Sequence, residues 1–339
     1  MNSLTENKKV LLLGGAGFIG YNLLAHLVSE YNCSITVADN FFRGKLDKKF
    51  KDFIEKNNIK LINADFSDKS SYSLLDDYYD QCYMLASIVG VENAIKNPTE
   101  VIRVNTLLAI SFLEWAKNNK IGKVIYTSTS ENYAGSVENF GYKIPTAEDV
   151  PLSISDITKP RFSYAASKIL AESAFLNYSK EYNFDCVILR YHNVYGPRMG
   201  FKHVIPNIVG RFIIDKENPF QMYGHAHTRS FCYVSDAIEA TVSAMENSSN
   251  NNQIYHVGAE EEITIEELIK EVGKILNLVV DYMPAEAHSG SIYRRCPDIS
   301  KAKRDLAYQP KVLLKDGLKI TVKWYKDHFE KGVSRNEFE

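Results

Sequence analysis

A short apolar run followed at once by closely spaced glycines constrains the fold of this chain more than any other feature. Residues 10–13 read as a buried strand; Gly14, Gly17 and Gly20 follow, and residues 21–30 are predicted to be helical. In such a unit the first glycine permits the turn, the second admits a diphosphate and the third allows close helix–strand packing. The diphosphate would lie at the helix N-terminus, where unpaired N–H groups point at it. The pattern therefore predicts a dinucleotide-binding unit.

Asp39 indicates which dinucleotide is bound. It ends the second predicted strand, about 20 residues beyond the glycines, where a carboxylate accepts hydrogen bonds from the adenosine ribose. That carboxylate also repels a 2′-phosphate, so we predict NAD, and the nearby Arg43 keeps NADP open as the lesser alternative. Asp65 follows the third predicted strand and is predicted to meet the adenine, although a helix cap is an alternative interpretation.

Apolar runs alternate with amphipathic stretches over the first half of the chain, which predicts an α/β fold. The alternation favours a doubly wound parallel sheet of the Rossmann type, followed by a smaller, discontinuous C-terminal α/β substrate domain. The predicted strands are 10–13, 35–38, 59–63, 83–86, 124–127 and 187–191, and the main helices are 21–30, 98–118 and 164–182. The predicted limits are 1–190, rejoined by about 231–255, for the NAD-binding domain, 191–230 and 256–332 for the substrate domain, and 333–339 for a frayed tail.

Composition excludes several classes of partner. The 339 residues include 40 basic and 42 acidic side chains, for a net charge of −2, so no strong field attracts nucleic acid or an anionic membrane. The five cysteines include no Cys-x-x-Cys pair, and no apolar stretch is long enough for a signal peptide or a membrane span, so we expect a cytoplasmic protein. His225 and His227 have no third ligand at a suitable spacing, so we expect no metal.

Tyr164 and Lys168 are the strongest candidates for chemistry. Four residues apart, they share one face of the predicted helix 164–182. The Lys168 ammonium should favour the phenolate, and we therefore expect the pKa of Tyr164 to lie below its usual value. A phenol tuned in this way accepts the proton of a sugar hydroxyl while a nicotinamide accepts the hydride.

Motifs along nearly the whole chain resemble the extended short-chain dehydrogenase/reductase superfamily, in its nucleotide-sugar epimerase, dehydratase and decarboxylase branch. They are the glycine loop, residues 39–44, 85–87, Asn105, residues 127–131, Tyr164 with Lys168, and residues 190–198, 229–231 and 295–302. The resemblance implies that the substrate is a sugar linked to UDP or GDP. It also implies a homodimer formed through the apolar stripes of helices 98–118 and 164–182.

The resemblance also implies a role for each matching residue. Tyr164 would be the general base, Lys168 would hold the nicotinamide ribose and the phenolate, and Thr129 would bind the reacting hydroxyl. Asn193, Arg229 and Arg295 would contact the diphosphate of the substrate, although a loop cap and a surface ion pair remain the simpler interpretations of Asn193 and Arg229. The implied cofactor contacts are Gly14, Gly17, Phe18, Ile19, Gly20, Asp39, Asn40, Asp65, Phe66, Leu85, Ala86, Asn105, Tyr164 and Lys168, and the implied substrate contacts are Asn193, Arg198, His203, Arg229 and Arg295.

Thr129, Ser130 and Glu131 bear on the reaction that follows oxidation at C4 to a 4-keto sugar. Ser130 replaces the aspartic acid of 4,6-dehydratases, so dehydration is disfavoured. Glu131 has three open interpretations: it orients sugar hydroxyls, abstracts the C5 proton, or is a structural carboxylate paired with a base. Residues 135–163 are expected to shape the sugar pocket.

An epimerase-type cycle is the leading prediction for the overall reaction. UDP-glucuronate decarboxylases share the Thr-Ser-Glu triplet, the Gly-Pro-Arg-Met run at 196–199 and the Asp-Asn-Phe-Phe run at 39–42, so decarboxylation is one alternative. Net dehydrogenation, for example of a nucleotide-linked heptose, is another. A non-catalytic NAD-binding regulator is the alternative outside the enzymes.

Overall fold

The computed structural model describes residues 7–287 and 291–332, so the predicted frayed tail at 333–339 lies outside the described residues. The strands of the main sheet are β1 (Lys8–Leu13), β2 (Cys33–Asp39), β3 (Lys60–Asn63), β4 (Tyr78–Met84), β5 (Lys120–Thr129), β6 (Asp185–Tyr191) and, after the short strands named below, β11 (Gln253–Val257). These strands pair in the order β11-β6-β5-β4-β1-β2-β3, and every pairing is parallel. Chain order reverses between β1 and β4, and a ligand crevice opens at such a reversal.

The remaining strands form small sheets beyond the carboxyl ends of the main one. They are β7 (Val194–Tyr195), β8 (Phe220–Tyr223), β9 (Thr228–Ser230), β10 (Cys232–Tyr233), β12 (Glu262–Thr264), β13 (Tyr282–Ala285) and β14 (Arg294–Arg295). β7 pairs with β10, β8 pairs with β13, and β9 lies between β12 and β14. The β9–β14 pairing matters for the site because its register sets Arg229 beside Arg295.

The helices of the described residues cover both faces of the main sheet or pack in the C-terminal part of the chain. They are α1 (Phe18–Glu30), α2 (Lys48–Lys56), α3 (Val91–Lys96), α4 (Pro98–Ala116), α5 (Ala134–Phe140), α6 (Ser163–Tyr182), α7 (Val204–Ile213), α8 (Val234–Glu246), α9 (Ile265–Ile275), α10 (Ser300–Leu306) and α11 (Leu314–Glu330). Short 3-10 turns precede α5 and α6 and also follow β3. In β1, Val10 and Leu12 pack on the face covered by α1 and α8, whereas Leu11 and Leu13 pack on the face covered by α4 and α6. A strand buried on both faces in this way reads as a continuous apolar run.

A third apolar cluster lies outside the main sheet and unites α7, α9 and α11. Its members include Ile208 of α7, Leu268 of α9 and Tyr325 of α11. Phe18 at the start of α1 packs against both this cluster and the core beside α1. Phe18 therefore joins the nucleotide-binding sheet to the C-terminal part of the chain.

The predicted fold class is confirmed, and all six predicted strands lie in the parallel sheet. The sequence did not single out β11 (Gln253–Val257), which joins the sheet beside β6 from more than 60 residues away. The domain limits stay a prediction. Within the described residues, no helix combines the length and apolar character needed to cross a bilayer.

Candidate active site

The glycine loop between β1 and α1 has the geometry that the spacing predicted. Gly14 has a φ of +85°, and a Cβ atom there would lie 2.6 Å from the backbone nitrogen of Ala86. A Cβ atom at Gly20 would collide with the carbonyl oxygen of Gly14. At Gly17, by contrast, a Cβ atom would meet only that same oxygen at an ordinary 3.4 Å. The packing of the chain therefore requires Gly14 and Gly20 but leaves open space at Gly17.

This contrast gives a matched pair of expected results. A Gly20→Ala substitution should destabilise the protein without any ligand, because the new methyl group meets backbone that cannot move aside. Gly17→Ala should keep the melting temperature within about 2 °C but weaken NAD binding about tenfold or more, because the methyl group fills the space where the diphosphate approaches. Differential scanning calorimetry and titration with NAD separate the two. Equal loss of stability in both variants would contradict this reading of Gly17.

The start of α1 and the end of β2 fit a dinucleotide. Gly17 caps α1 without any side-chain hydrogen bond, so the first N–H groups of this helix face the crevice with no capping oxygen from a side chain. Asp39 ends β2, and its carboxylate accepts hydrogen bonds from the backbone nitrogens of Ala16 at 2.9 Å and Phe41 at 2.8 Å. Burial raises the pKa of Asp39, and these two bonds oppose that effect. A carboxylate accepts about four hydrogen bonds, so two positions remain for ribose hydroxyls.

Other predicted cofactor residues form hydrogen bonds within the loops around the crevice or pack in the core. Asn105 is buried, accepts from the backbone nitrogen of Ile88 at 2.7 Å and donates to the carbonyl of the same residue at 3.0 Å. It thereby fixes the loop that begins with Leu85 and Ala86. Asp65 accepts from the backbone nitrogen of Ser67, and the Phe66 side chain lies in the core. In the same group, Asn40 accepts from the backbone nitrogen of Phe42, and Ile19 packs against the core beside α1. Direct contact of these residues with NAD stays a prediction.

Tyr164 and Lys168 lie together on α6, as predicted, but the expected effect on the phenol is wrong. Burial raises the pKa of Tyr164 above its usual value, the charge of Glu131 raises it further, and only the Thr129 hydroxyl and Arg43 lower it. The Lys168 ammonium donates to the carbonyl oxygen of Thr127 at 2.9 Å and lies 5.9 Å from the centre of the Tyr164 ring. The helical spacing placed the two side chains on one face but could not show where the ammonium would be bound.

The pKa of Lys168 is also shifted from its usual value. Its side chain is buried, and burial lowers its pKa to about 7, while the charge of Glu172 one helical turn further opposes this effect. Glu172 forms a buried ion pair with Arg190, with 2.8 Å between Nη2 and Oε2, and its other oxygen accepts from Ser128 at 2.6 Å and Asn132 at 2.8 Å. This network ties the end of β5, which carries Thr129, and the turn after it, which carries Glu131, to α6 and β6.

Glu131 lies at the centre of a cluster of arginines. Arg295 binds its Oε1 at 2.6 Å and also donates to the Ser130 hydroxyl at 3.3 Å, while Arg161 lies 3.8 Å from Oε2. Burial raises the pKa of Glu131, but Arg295, Arg161 and Arg229 together outweigh it and hold the pKa below its usual value. Three guanidinium groups thus accompany one ionised carboxylate beside Tyr164. Of the three open interpretations, the geometry favours a carboxylate paired with a base.

The predicted substrate residues form hydrogen bonds or ion pairs with other groups of the protein. Asn193 donates to the carbonyl of Ser230 at 2.8 Å, and Arg198 binds Asp47 at 2.7 Å and lies 4.3 Å from the ring centre of Tyr21. The simpler interpretation of Asn193 as a loop residue therefore matches its contact. Arg229 donates to the carbonyls of Thr228 at 2.7 Å and Ile292 at 2.6 Å. The imidazole of His203 lies 3.4 Å from the guanidinium of Arg43. Contact of Asn193, Arg198, His203, Arg229 and Arg295 with substrate stays a prediction.

Comparison with known proteins agrees with this arrangement. Residues 10–258 match the NAD dependent epimerase/dehydratase family. The chain belongs to this family. It is 32% identical to the UDP-N-acetyl-alpha-D-glucosaminuronate decarboxylase of Bacillus cytotoxicus over 94% of this chain and 98% of that protein. It is 30% identical to UDP-glucuronic acid decarboxylase 3 of Arabidopsis thaliana over 93% and 88% of the two chains.

One solved structure that is similar to this chain contains NAD. The UDP-glucuronic acid 4-epimerase of Bacillus cereus, in complex with UDP-glucuronic acid and NAD, superposes with a TM-score of 0.81 at 26% identity, covering 94% of this chain and 99% of the other. Membership of the family makes this chain an NAD-dependent enzyme that modifies a nucleotide-linked sugar. The predictions of an enzyme and of NAD as cofactor are confirmed, and the regulator alternative is set aside.

Sequence reasoning missed two residues of the site. Arg161 precedes Tyr164 by three residues, in the turn before α6, and its spacing from the tyrosine was the available signal. Glu172 follows Lys168 by four residues, the spacing at which charges meet on a helix. Arg43 was considered only as a partner for a 2′-phosphate.

Proposed function

We propose that this enzyme decarboxylates a UDP-linked hexuronic acid after oxidising its C4 hydroxyl. The observation that carries the proposal is the Glu131–Arg295 ion pair, with Arg161 and Arg229 close by and Tyr164 next to it. The surplus of positive charge suits a sugar that carries a carboxylate at C6. The names of two relatives, both uronate decarboxylases, support the same substrate class.

The state of Glu131 also favours decarboxylation over chemistry that needs a base at C5. Since arginines hold its pKa low, Glu131 is ionised but weakly basic, and a C5 proton is a poor match for it. Loss of carbon dioxide needs no base, because the electrons of the broken C5–C6 bond move toward the C4 carbonyl. This places decarboxylation ahead of dehydration and of epimerisation at C5, both of which remove the C5 proton. Epimerisation at C4 needs no such base, and the substrate comparison below separates it from decarboxylation.

Each step of the proposed reaction uses particular residues of the chain. Tyr164 accepts the proton of the C4 hydroxyl through the small fraction of the phenol that is ionised, since burial and Glu131 raise its pKa, and Thr129 holds the hydroxyl oxygen in place. NAD, held by the glycine loop and Asp39, would supply the acceptor for the C4 hydride and the means of returning it.

Arg295 and Arg161 stabilise the negative charge that passes from the carboxylate to the enolate oxygen as the C5–C6 bond breaks. C5 then accepts one proton from solvent, which the Ser130 hydroxyl held by Arg295 passes on while taking up a proton itself, so that the serine stays neutral. Tyr164 returns its proton to O4.

A substrate comparison tests the proposal. The purified enzyme with UDP-glucuronate labelled at C6 should release labelled carbon dioxide and form a UDP-pentose in equal amounts, with no net NADH. UDP-glucose, which lacks the carboxylate, should release none. A new UDP-hexuronate without carbon dioxide would instead establish an epimerase, and a 4-keto product with equimolar NADH would establish a dehydrogenase.

We also infer that the enzyme is a homodimer through α4 and α6. An apolar groove of about 590 Å³ runs along this face, lined by Ile110, Ile169 and Leu170, among others, and the Leu170 side chain is 45% exposed. Ile154, from the segment predicted to shape the sugar pocket, also lines it. Sedimentation equilibrium at micromolar concentration should give twice the chain mass of 38.5 kDa, and a monomer would contradict the inference.

A further inference from the structure

Residues 146–153, here called the bridging segment, contact the chain on both sides of the Glu131–Arg295 ion pair. The segment lies between α5 and α6, and most of its residues are partly buried. Its place in the structure is set by hydrogen bonds that lead in two directions. One set reaches the turn after β5, and the other reaches the chain just after β14.

At one end the bridging segment pairs with the turn after β5. The backbone nitrogen of Ser153 donates to the carbonyl of Asn132 at 3.1 Å, and the backbone nitrogen of Gly135 donates to the carbonyl of Ser153 at 2.9 Å. The Ser136 hydroxyl donates to the carbonyl of Pro151. Three hydrogen bonds therefore join this end of the segment to the turn and to the first residues of α5.

The contact at this end is close enough to require a glycine. A Cβ atom at Gly135 would lie 2.7 Å from the carbonyl oxygen of Ser153 and 2.7 Å from the carbonyl carbon of Ile154, the next residue. These are backbone atoms, so they can give way only if the segment itself moves. An α-helix accepts alanine more readily than glycine, so the bridging segment, and not α5, imposes the glycine.

At its other end the bridging segment pairs with the residues that follow Arg295. The backbone nitrogen of Thr146 donates to the carbonyl of Cys296 at 3.0 Å, and the backbone nitrogen of Asp298 donates to the carbonyl of Thr146 at 2.8 Å. These two bonds enclose Pro297 and form an isolated parallel bridge. They fix the course of the chain directly after the guanidinium that binds Glu131.

The middle of the bridging segment is anchored to the main sheet. The carbonyl of Glu148 accepts from the Arg190 guanidinium of β6 at 3.0 Å, and its carboxylate accepts from the backbone nitrogen of His256 of β11 at 2.8 Å. Arg190 in turn belongs to the buried ion pair with Glu172. The segment therefore has a support of its own from which it holds both ends.

The geometry of the ion pair depends on how two sheets are held together. Glu131 follows β5 of the main sheet, whereas Arg295 belongs to β14 of a small sheet, and their side chains meet at 2.6 Å. The bridging segment is bonded to the backbone close to each partner and to the main sheet between them. A shift of the segment therefore changes the position of one partner relative to the other.

We propose that the bridging segment is a positioning element that sets the distance between Glu131 and Arg295 and thereby controls the loss of carbon dioxide. The proposal rests on the proposed function in taking this ion pair as the group that acts on the sugar carboxylate. A displacement of about 1 Å can cost about 100-fold in rate. Thr129, Tyr164 and Lys168 lie on β5 and α6, so hydride transfer should depend on the segment much less.

Gly135→Ala tests this role, because its methyl group must push the segment away from the turn. The NAD-loaded enzyme is mixed with UDP-glucuronate labelled at C6, and NADH and labelled carbon dioxide are followed during one turnover. The variant should release carbon dioxide about tenfold more slowly and accumulate NADH, while NADH forms within about twofold of the normal rate. Ser136→Ala removes one hydrogen bond and introduces no collision, and should change the ratio of the two rates about threefold in the same direction.

Gly122→Ala is the matched control for a collision with backbone. Its methyl group would lie 2.5 Å from the carbonyl oxygen of Asp80, near the start of β5 and so at the opposite end of this strand from the site. The substitution should lower the melting temperature and leave the ratio of the two rates unchanged. A change in the ratio that is confined to Gly135→Ala and Ser136→Ala therefore reports on the bridging segment and not on stability.

A crystal structure of NAD-loaded Gly135→Ala measures the positioning without any turnover. Oε1 of Glu131 and Nη1 of Arg295, which are 2.6 Å apart in the unmodified protein, should separate to about 3.5 Å or more. In Gly122→Ala this distance should not change. If UDP-glucuronate gives no carbon dioxide with the unmodified enzyme, the proposed function is wrong, but this distance still decides whether the segment positions the pair.

Two results would overturn the proposal. In the first, Gly135→Ala slows NADH formation and carbon dioxide release by the same factor, which would make the segment a support for the whole site only. In the second, the contact between Glu131 and Arg295 keeps its length in Gly135→Ala. If Gly135→Ala does not fold, Ser136→Ala decides the question by the same two measurements, and an unchanged ratio with an unchanged distance would reject the proposal.

Discussion

Tyr164→Phe is expected to slow hydride transfer about 1000-fold while leaving the protein folded and able to bind NAD. In the proposed reaction the phenol oxygen of Tyr164 accepts the proton of the sugar hydroxyl, and phenylalanine keeps the ring that packs beside Lys168 and Thr129. The expected changes are thus confined to the chemical step. Single-turnover formation of NADH from UDP-glucuronate measures the rate, and calorimetric titration measures NAD affinity.

Tyr182→Phe provides a control on the same helix. Tyr182 ends α6 and is 40% exposed, so its hydroxyl serves no buried contact with the site. Its substitution should leave the rate unchanged. A Tyr164→Phe enzyme that kept nearly the full rate would show that another group accepts the proton, and the assignment of the base would fail.

Arg295→Gln is expected to lower the release of carbon dioxide about 100- to 1000-fold, the usual cost of losing one group that stabilises developing charge. It removes the closest partner of Glu131, so burial would then raise the pKa of that carboxyl with only Arg161 and Arg229 to oppose it. The oxidation at C4 does not need Arg295. The variant should therefore accumulate NADH and a 4-keto sugar during a single turnover, which mass spectrometry and absorbance detect.

Arg294→Gln is the matched control, one residue away on β14. Arg294 is exposed and pairs with Glu262 at 2.6 Å, whereas Arg295 is buried. Neighbouring residues of a strand point to opposite faces, so Arg294 does not enter the site. Full activity is expected for this variant. Normal carbon dioxide release by Arg295→Gln would contradict the assignment of the carboxylate site.

The nucleotide-binding half was largely predictable because local rules determine it. The glycine spacing requires a tight turn and close packing, and the structure bears this out at Gly14 and Gly20. Most of the predicted strands were apolar runs buried on both faces, which their shortness distinguishes from helices, although β3 is largely exposed. β11 escaped prediction because its place in the sheet depends on a long-range pairing with β6.

The reacting site was only partly predictable because it depends on the direction of long side chains. Sequence motifs identified Tyr164, Glu131 and Arg295 as candidate site residues. They did not predict the 2.6 Å ion pair between Glu131 and Arg295. Arg161 and Arg43 lie in turns whose side-chain directions no periodicity encodes. The pKa of Tyr164 was predicted in the wrong direction, since burial and the Glu131 charge exceed the influence of neighbouring cations.

The pairing of Glu131 with Arg295 links two residues 164 positions apart in the chain. Protein synthesis proceeds from the N-terminus, and domains tend to fold as they emerge from the ribosome. The glycine loop, Asp39, Tyr164 and Lys168 are therefore made long before the guanidinium that completes the site. A nascent chain holding the first six strands already contains Tyr164 and Lys168 but lacks Arg229 and Arg295. The residues that we propose to act on the uronate carboxylate are therefore complete only once nearly the whole protein has been made.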